Sequence, residues 1–222
     1  MRKLIISVSD YSGAWSKPYY DAGYFVVRVD PKLPREMHSN ADGGACWTLP
    51  YTVAQFIYSP ELQQLLSHRE CVWGMLLAPP CTHFASSGAR WFADKDRDGR
   101  TTEACAMIDH CIQLVERCQP TWWALENPIG RLPKLFPMKL GKPAMYFQPC
   151  DHGDAYTKRT ALWGDFTTFG PSDPVEPVMY TDKNGKRGSW HWAKLGGKSE
   201  RTKALRSNTP PGFAQAFFEA NR

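Results

Sequence analysis

Leu4-Ile5-Ile6-Ser7-Val8-Ser9-Asp10-Tyr11-Ser12-Gly13-Ala14-Trp15 stands near the start of the chain and sets its architecture. Leu4 to Val8 reads as a buried strand and Ser9 to Trp15 as a loop. Ser16 is placed to cap a short helix with Pro18 in its first turn, running through Tyr20 and ending near Gly23. Tyr24 to Val29, β-branched and aromatic, predicts a second buried strand closing on Asp30. Strand, glycine-bearing turn, helix, then a strand ending in an acid is the pattern of a nucleotide-binding half. The glycine lets backbone approach a ligand, and the acid accepts hydrogen bonds from ribose hydroxyls. A lone glycine serves any β-α turn equally, so this unit by itself leaves cofactor binding open.

A second apolar run, Cys71 to Leu77, predicts another buried strand and stops at Pro79-Pro80. The next residue is Cys81, followed by the Ser/Gly-rich Ala85-Ser86-Ser87-Gly88-Ala89-Arg90. A thiol at the carboxyl end of a central strand stands where open α/β sheets bind ligands. Between the two runs, Pro31 to Pro50 reads as loop, and Val53 to Leu66 as a helical pattern interrupted by Pro60. Asp94 to Arg100 faintly resembles a calcium loop but lacks the Glu that such loops carry at position 12, so a charged flexible loop is expected. Ala104, Met107, Ile108, Cys111, Ile112, Leu114, Val115 and Cys118 fall at helical spacing, which assigns these cysteines to a core face. Thr121 to Leu125 is a further strand ending in Glu126-Asn127-Pro128. Met145 to Phe147 and Thr160 to Trp163 are candidate strands, and Phe213 to Glu219 a closing helix.

The length, 222 residues, suits one domain or one domain with a small lobe. No apolar run approaches the roughly 20 residues of a membrane span. Leu4 to Val8 is too short for a signal-peptide core, so the chain is expected in the cytoplasm. Seven cysteines at scattered spacings, with no Cys-x-x-Cys, suggest neither a disulfide framework nor a zinc site. The net charge of +5 permits a polyanionic partner without requiring one. It is unevenly spread: Lys183, Lys186, Arg187, Lys194, Lys198, Arg201, Lys203 and Arg206 face one carboxylate, Glu200, with Trp190, His191 and Trp192 among them. Bases interleaved with aromatics suit phosphate contact and stacking. A solvated loop with two anchoring tryptophans fits the pattern as well.

Three strand ends therefore carry reactive side chains: Asp30, Cys81 and Glu126. A carboxyl group following an apolar strand can have a raised pKa and serve as an acid. A thiol beside such an acid, with an arginine in reach, suits addition to an electron-poor ring such as a pyrimidine. Singly, Glu126 could equally cap a helix and Cys81 could be an inert core residue.

Taken in order, these residues resemble the DNA (cytosine-5) methyltransferases, especially the short forms found in bacteriophage genomes. Pro79-Pro80-Cys81 is similar to the family's Pro-Cys nucleophile motif, and Glu126-Asn127-Pro128 to its Glu-Asn-Val motif. Leu4 to Trp15 resembles the cofactor loop and Asp30 the ribose-binding acid. Lys158-Arg159-Thr160 and the following Ala161-Leu162-Trp163 resemble the Gln-x-Arg-x-Arg motif with its strand. Ser207-Asn208-Thr209-Pro210-Pro211 resembles the late Gly-Asn-Ala-Val-Pro-Pro motif. The chain departs from the pattern in keeping one glycine of Phe-x-Gly-x-Gly, with Trp15 standing where the second would be.

The resemblance implies an α/β, Rossmann-like methyltransferase fold, mostly parallel and flanked by helices. Residues 1–165 and 203–222 would form the catalytic domain, and 166–202 a much reduced target-recognition segment. It further implies S-adenosylmethionine as cofactor, held by Tyr11, Ser12, Gly13, Trp15, Asp30, Pro79 and Asn208. Cys81 would be the nucleophile, Glu126 the acid at ring nitrogen 3, and Arg159 the donor to the cytosine carbonyl. Asn127 would brace the loop of residues 82–100, expected to be mobile and to close on DNA. Arg90, Lys186, Arg187 and Lys194 would meet double-stranded DNA, from which the cytosine is flipped. No metal and no membrane enter this scheme, and a monomer in a bacterial host cell is expected. RNA or a free pyrimidine nucleotide as substrate, an inactive DNA-binding relative, and an amino-group methyltransferase are the rival readings. Ala78 and Cys81 stand where the last of these would carry an acid or Asn and an aromatic.

Overall fold

The computed structural model describes residues 2–67, 72–182, 184–185, 187–190, 195 and 199–222, with only the backbone of Glu200 and Lys203. Ten strands are described: β1 (Leu4–Val8), β2 (Phe25–Val29), β3 (Glu36–Ser39), β4 (Ala45–Leu49), β5 (Val72–Leu77), β6 (Trp122–Pro128), β7 (Met145–Phe147), β8 (Thr160–Asp165), β9 (Met179–Thr181) and β10 (Arg187–Ser189). The helices are α1 (Lys17–Asp21), α2 (Val53–Ile57), α3 (Pro60–Ser67), α4 (Phe92–Arg97), α5 (Arg100–Cys118), α6 (Leu132–Leu135), α7 (Glu200–Ser207) and α8 (Pro211–Ala220).

Eight strands form one sheet in the order β3-β4-β2-β1-β5-β6-β8-β7. From β4 to β6 every neighbour is parallel, whereas β3, β7 and β8 pair antiparallel. The α/β, Rossmann-like, mostly parallel sheet with flanking helices expected from the sequence is the one observed. β1 is buried along its whole length, as a strand covered on both faces must be. Its period-2 alternation divides the core. Leu4, Ile6 and Val8 pack with Val53, Phe56, Ile108 and Leu114 from α2 and α5, while Ile5 lies with Trp15, Tyr19, Phe213 and Phe217 from the α1 and α8 side.

Strand order reverses between β1 and β5. The chain leaves β1 for β2 on one side, whereas β5 and β6 lie on the other, so a crevice opens beyond the carboxyl ends of these strands. The loops after β1, β2, β5 and β6 all issue there.

Several expectations are corrected. Residues 31–50 contain β3 and β4 and are not merely loop. β4 borrows its order from β2, and Thr48 fixes the turn before β3 by donating to the Pro34 carbonyl at 2.7 Å. β3 is exposed throughout, a polar edge strand with no buried face to betray it. Asp94 to Arg100 is the end of α4 and the start of α5 around a left-handed Gly99, not a charged loop, and residues 82–100 are largely helical turns. β6 continues through Glu126, Asn127 and Pro128 because β8 pairs with all three. α7 stands within the basic stretch, capped by Ser199, whose Oγ accepts from Thr202 N at 3.2 Å. Pro60, read as an interruption, starts α3.

The described part of residues 166–202 is an irregular strap and the β9–β10 hairpin. Backbone bonds from Val175 to Cys150 and from Val178 to Ala155 seat the strap on residues 148–157. Thr157 N donates to Ser189 Oγ, and Trp190 packs on Tyr156 with ring centroids 5.7 Å apart.

Candidate active site

β5 ends at Leu77, and Ala78 N still donates to Val8 O, which ties the exit of β5 to β1. Pro80 is extended, and Cys81 opens a 3₁₀ turn over Cys81–His83. The amides of Phe84 and Ala85 both donate to the Cys81 carbonyl at 2.9 Å, and Phe84 anchors the turn in the core. On the neighbouring strand, Asn127 is fully buried, and its Nδ2 donates to Pro79 O at 3.1 Å. Glu126, half-buried, precedes it. Two adjacent parallel strands thus deliver Cys81 and Glu126 to one point of the crevice.

Their charges interact. Burial pushes the Cys81 thiol above its ordinary value, and the Glu126 carboxylate pushes it further, while Lys158 and Arg206 draw it down. Glu126 is itself raised by burial, which disfavours its carboxylate, and Lys158 opposes this. The Tyr156 phenol is raised by burial, with Asp154 and Glu126 adding to it. Lys158 is therefore the cation that acts on both reactive groups. Arg159 lies elsewhere: it is exposed, with its guanidinium 5.0 Å from the ring centroid of Tyr146. Neighbouring residues entering β8 point in opposite directions, so the motif's two cations are separated.

Around the end of β1, Asp10 is buried and organises the loop. Its Oδ2 accepts from Ser7 Oγ, Ser16 N and Ser16 Oγ at 3.0, 3.1 and 2.7 Å. Ser16 thus begins α1 without capping it by its side chain. Gly13 is left-handed at φ 73°, and a Cβ there would meet the Arg28 guanidinium at 2.7 Å. Arg28 in turn donates to the carbonyls of Asp10 and Tyr11. Tyr11 and Ser12 face solvent. Asp30 follows β2 and accepts Lys32 N on Oδ1 at 2.9 Å; among the described residues none donates to Oδ2. Trp15 is turned the other way: it is 0% exposed, with Phe217 and Phe213 centroids at 5.6 and 6.3 Å. Packing against α8, not the open side of the loop, claims its ring. Pro79 is buried beside Cys81, and Asn208 ends α7 just ahead of α8.

Of the expected DNA contacts, Arg90 is exposed with its guanidinium 5.2 Å from the Trp91 ring centroid, and Arg187 is exposed on β10. Lys186 and Lys194 lie outside the described residues. Burial lifts the Cys111 and Cys118 thiols to about 12, as their core assignment implies. Among the described residues no cluster of His, Cys, Asp or Glu could hold a metal, and no helix is long and apolar enough to cross a membrane. A cavity of about 350 Å³ lies at the opposite, amino edge of the sheet, lined by residues including Trp73, Trp122, Asp165 and Asn221. None of the reactive groups reaches it.

Sequence reasoning missed Asp10, Arg28 and Lys158. Arg28 leaves a trace as an arginine between Val27 and Val29, whereas Asp10 and Lys158 stand among polar residues and leave none.

No protein-family model and no curated protein sequence matches the chain. Among solved structures, 14 chains match. One is a crystal structure of a prophage-encoded E. coli protein described as a candidate DNA modification methyltransferase. It is 17% identical, aligned over 93% of this chain and 69% of that one, with a TM-score of 0.46.

Proposed function

We propose that the chain is a DNA (cytosine-5) methyltransferase using S-adenosylmethionine. The observation that carries the reading is the meeting of Cys81 and Glu126 at adjacent strand ends, electrostatically coupled and both acted on by Lys158. The crevice fits the cofactor at Asp30: among the described residues Lys32 N alone donates to its carboxylate, on Oδ1, and Oδ2 stands at the end of β2, where a ribose would be read. Tyr11, Ser12, Gly13, Asp30, Pro79 and Asn208 would hold it, with Trp15 acting from beneath through the loop's packing. Bound there, S-adenosylmethionine supplies an electrophilic methyl group.

The chain's own residues do the rest. The Cys81 thiolate adds to carbon 6 of a cytosine flipped out of the duplex. Glu126, its carboxyl pushed up by burial, hands a proton to nitrogen 3, and carbon 5 becomes nucleophilic. A cation beside the carbonyl oxygen stabilises the charge that develops. Lys158 is the group best supported for that contact, with Arg159 outside it on Tyr146. Loss of the carbon 5 proton later expels Cys81 and restores the thiol.

Residues 1–165 and 203–222 would be the catalytic domain, with 166–202 as a small DNA-facing lobe. So short a lobe reads few bases, so a short or relaxed recognition sequence is expected. The lobe carries Val175, Val178, Met179 and Tyr180 exposed beside Arg187. A Lys186/Arg187/Lys194 triple alanine variant should bind DNA more weakly, with a salt slope shallower by roughly three. Gel shifts at several salt concentrations measure it, and an unchanged slope removes the lobe from the interface.

The deciding experiment is incubation with labelled S-adenosylmethionine and DNA carrying 5-fluorocytosine. A covalent protein–DNA adduct is expected, and it should vanish in Cys81→Ser. Label in adenine, or adduct surviving in Cys81→Ser, overturns the proposal. Equal labelling of RNA or of free nucleotide would move the substrate while keeping the chemistry.

A further inference from the structure

Beneath the Cys81 turn lie two cations that the reaction above does not use. Lys95, on α4, is buried, and its Nζ donates to the Thr82 carbonyl at 2.6 Å. Arg131 follows β6 by three residues and donates from all three guanidinium nitrogens. Its Nε donates to the His83 carbonyl at 3.0 Å, Nη1 to both Asp96 oxygens at 2.8 and 2.9 Å, and Nη2 to Thr101 Oγ1 at 2.7 Å. The guanidinium lies over Phe92, 3.8 Å from its centroid, and its own amide donates to the Phe84 carbonyl at 2.9 Å. Three successive carbonyls after Cys81 are therefore held by Lys95 and Arg131.

The same segment locks the two strands that carry the reactive pair. Ser86 N donates to Ile129 O at 2.9 Å, and a Cβ on Gly130 would stand 1.8 Å from the Phe84 carbonyl oxygen. Only glycine lets the chain after Glu126 approach the chain after Cys81 this closely. Ile129 N donates to Arg159 O, so β8 is tied into the same knot.

We propose that Lys95 and Arg131 are positioning residues for Cys81, holding its turn against Glu126 through the carbonyls of Thr82, His83 and Phe84. The role of Cys81 rests on the reading above, but the brace itself does not. A carboxylate at either position would set acceptor against acceptor at the Thr82 and His83 carbonyls. The surrounding charges agree with the geometry. Lys95 is lowered by burial and by Arg100 and Arg131, while Asp98 and the Cys81 thiolate favour its charged form. On the other side Cys81 faces Glu126, Lys158 and Arg206. His83, in the same turn, is lowered by burial first and then by Lys95, Arg100 and Arg131, against Asp98.

The test reads the thiol directly, by iodoacetamide alkylation of the full chain across pH, followed by mass spectrometry of the Cys81 peptide. Lys95→Gln keeps a donor for the Thr82 carbonyl and removes the charge. Its alkylation midpoint should rise by roughly a few tenths of a pH unit, less than the removal of a directly paired charge produces. Arg131→Lys keeps the charge and loses the fork. Its midpoint should stay, while amide exchange of Phe84, Ala85 and Ser86 quickens about tenfold, the loss of about one hydrogen bond's net worth. Wild-type midpoints and wild-type exchange in both variants, with only a lower melting temperature, overturn the proposal. Should Lys95→Gln not fold, the milder Arg131→Lys exchange result decides alone. Neither readout needs DNA or cofactor. A brace confirmed here alongside no adduct on 5-fluorocytosine DNA therefore sinks the methyltransferase reading and leaves the positioning intact.

Discussion

Glu126→Gln should slow methyl transfer by roughly 10²- to 10⁴-fold, the usual contribution of a positioned general acid. An amide can still donate to ring nitrogen 3 but cannot surrender a proton to it. The same change should make Cys81 more acidic, because the carboxylate that disfavours the thiolate is gone. Alkylation of Cys81 should therefore begin at lower pH while turnover collapses. These opposite signs separate loss of the acid from general damage to the site. A variant that methylates within a few-fold of the native chain would remove Glu126 from the chemistry.

Stability carries a third readout. The folded-state pKa of Glu126 is raised above its ordinary value, so its contribution is fully present below the unfolded pKa and lost as pH rises through the folded one. Relative to the native chain, Glu126→Gln should accordingly gain in melting temperature from pH 4 to pH 8. Thermal melts at the two pH values measure it.

Trp15→Ala should be the most destabilising single truncation near the site, costing about 3–5 kcal/mol as aromatic-to-alanine changes in cores do. Its ring is fully buried between the loop after β1 and two phenylalanines of α8. At roughly 2–4 °C per kcal/mol for a chain of this size, the melting temperature should fall by about 6–20 °C. Trp15→Phe, which refills most of the space, should recover much of the loss. If Trp15→Ala melted like the native chain but bound the cofactor far more weakly, the ring would be a ligand contact and the packing argument would fail. Differential scanning calorimetry and cofactor titration together distinguish the two.

The sequence shows the first β-α-β unit plainly because local chemistry specifies it: apolar β-branched runs, a glycine, and an acid at the exit. The Cys81 and Glu126 strand ends are legible for the same reason. β4 is not, since five residues, Ala45 to Leu49, become a strand only by pairing with β2. Nor is the separation of Lys158 from Arg159. Adjacent residues at a strand entrance face opposite sides, and a one-residue uncertainty in where β8 begins exchanges them. Trp15 misleads in another way. A tryptophan beside a ligand loop reads as a stacking platform until α8, two hundred residues on, is seen to cover it. Arg28 is hidden because its task is to reach back from β2 and hold the loop after β1, a contact no spacing reveals.

One junction has a mechanical consequence. The strap and hairpin of residues 166–190 are stitched to the chain at Cys150, Ala155 and Thr157. Thr157 immediately precedes Lys158, whose own amide donates to Gln148 Oε1 at 2.9 Å. No slack chain separates the two, so the seat of the hairpin and the position of the lysine are fixed by the same few residues. A ligand held by the hairpin would sit at a set offset from the charge that acts on Cys81 and Glu126.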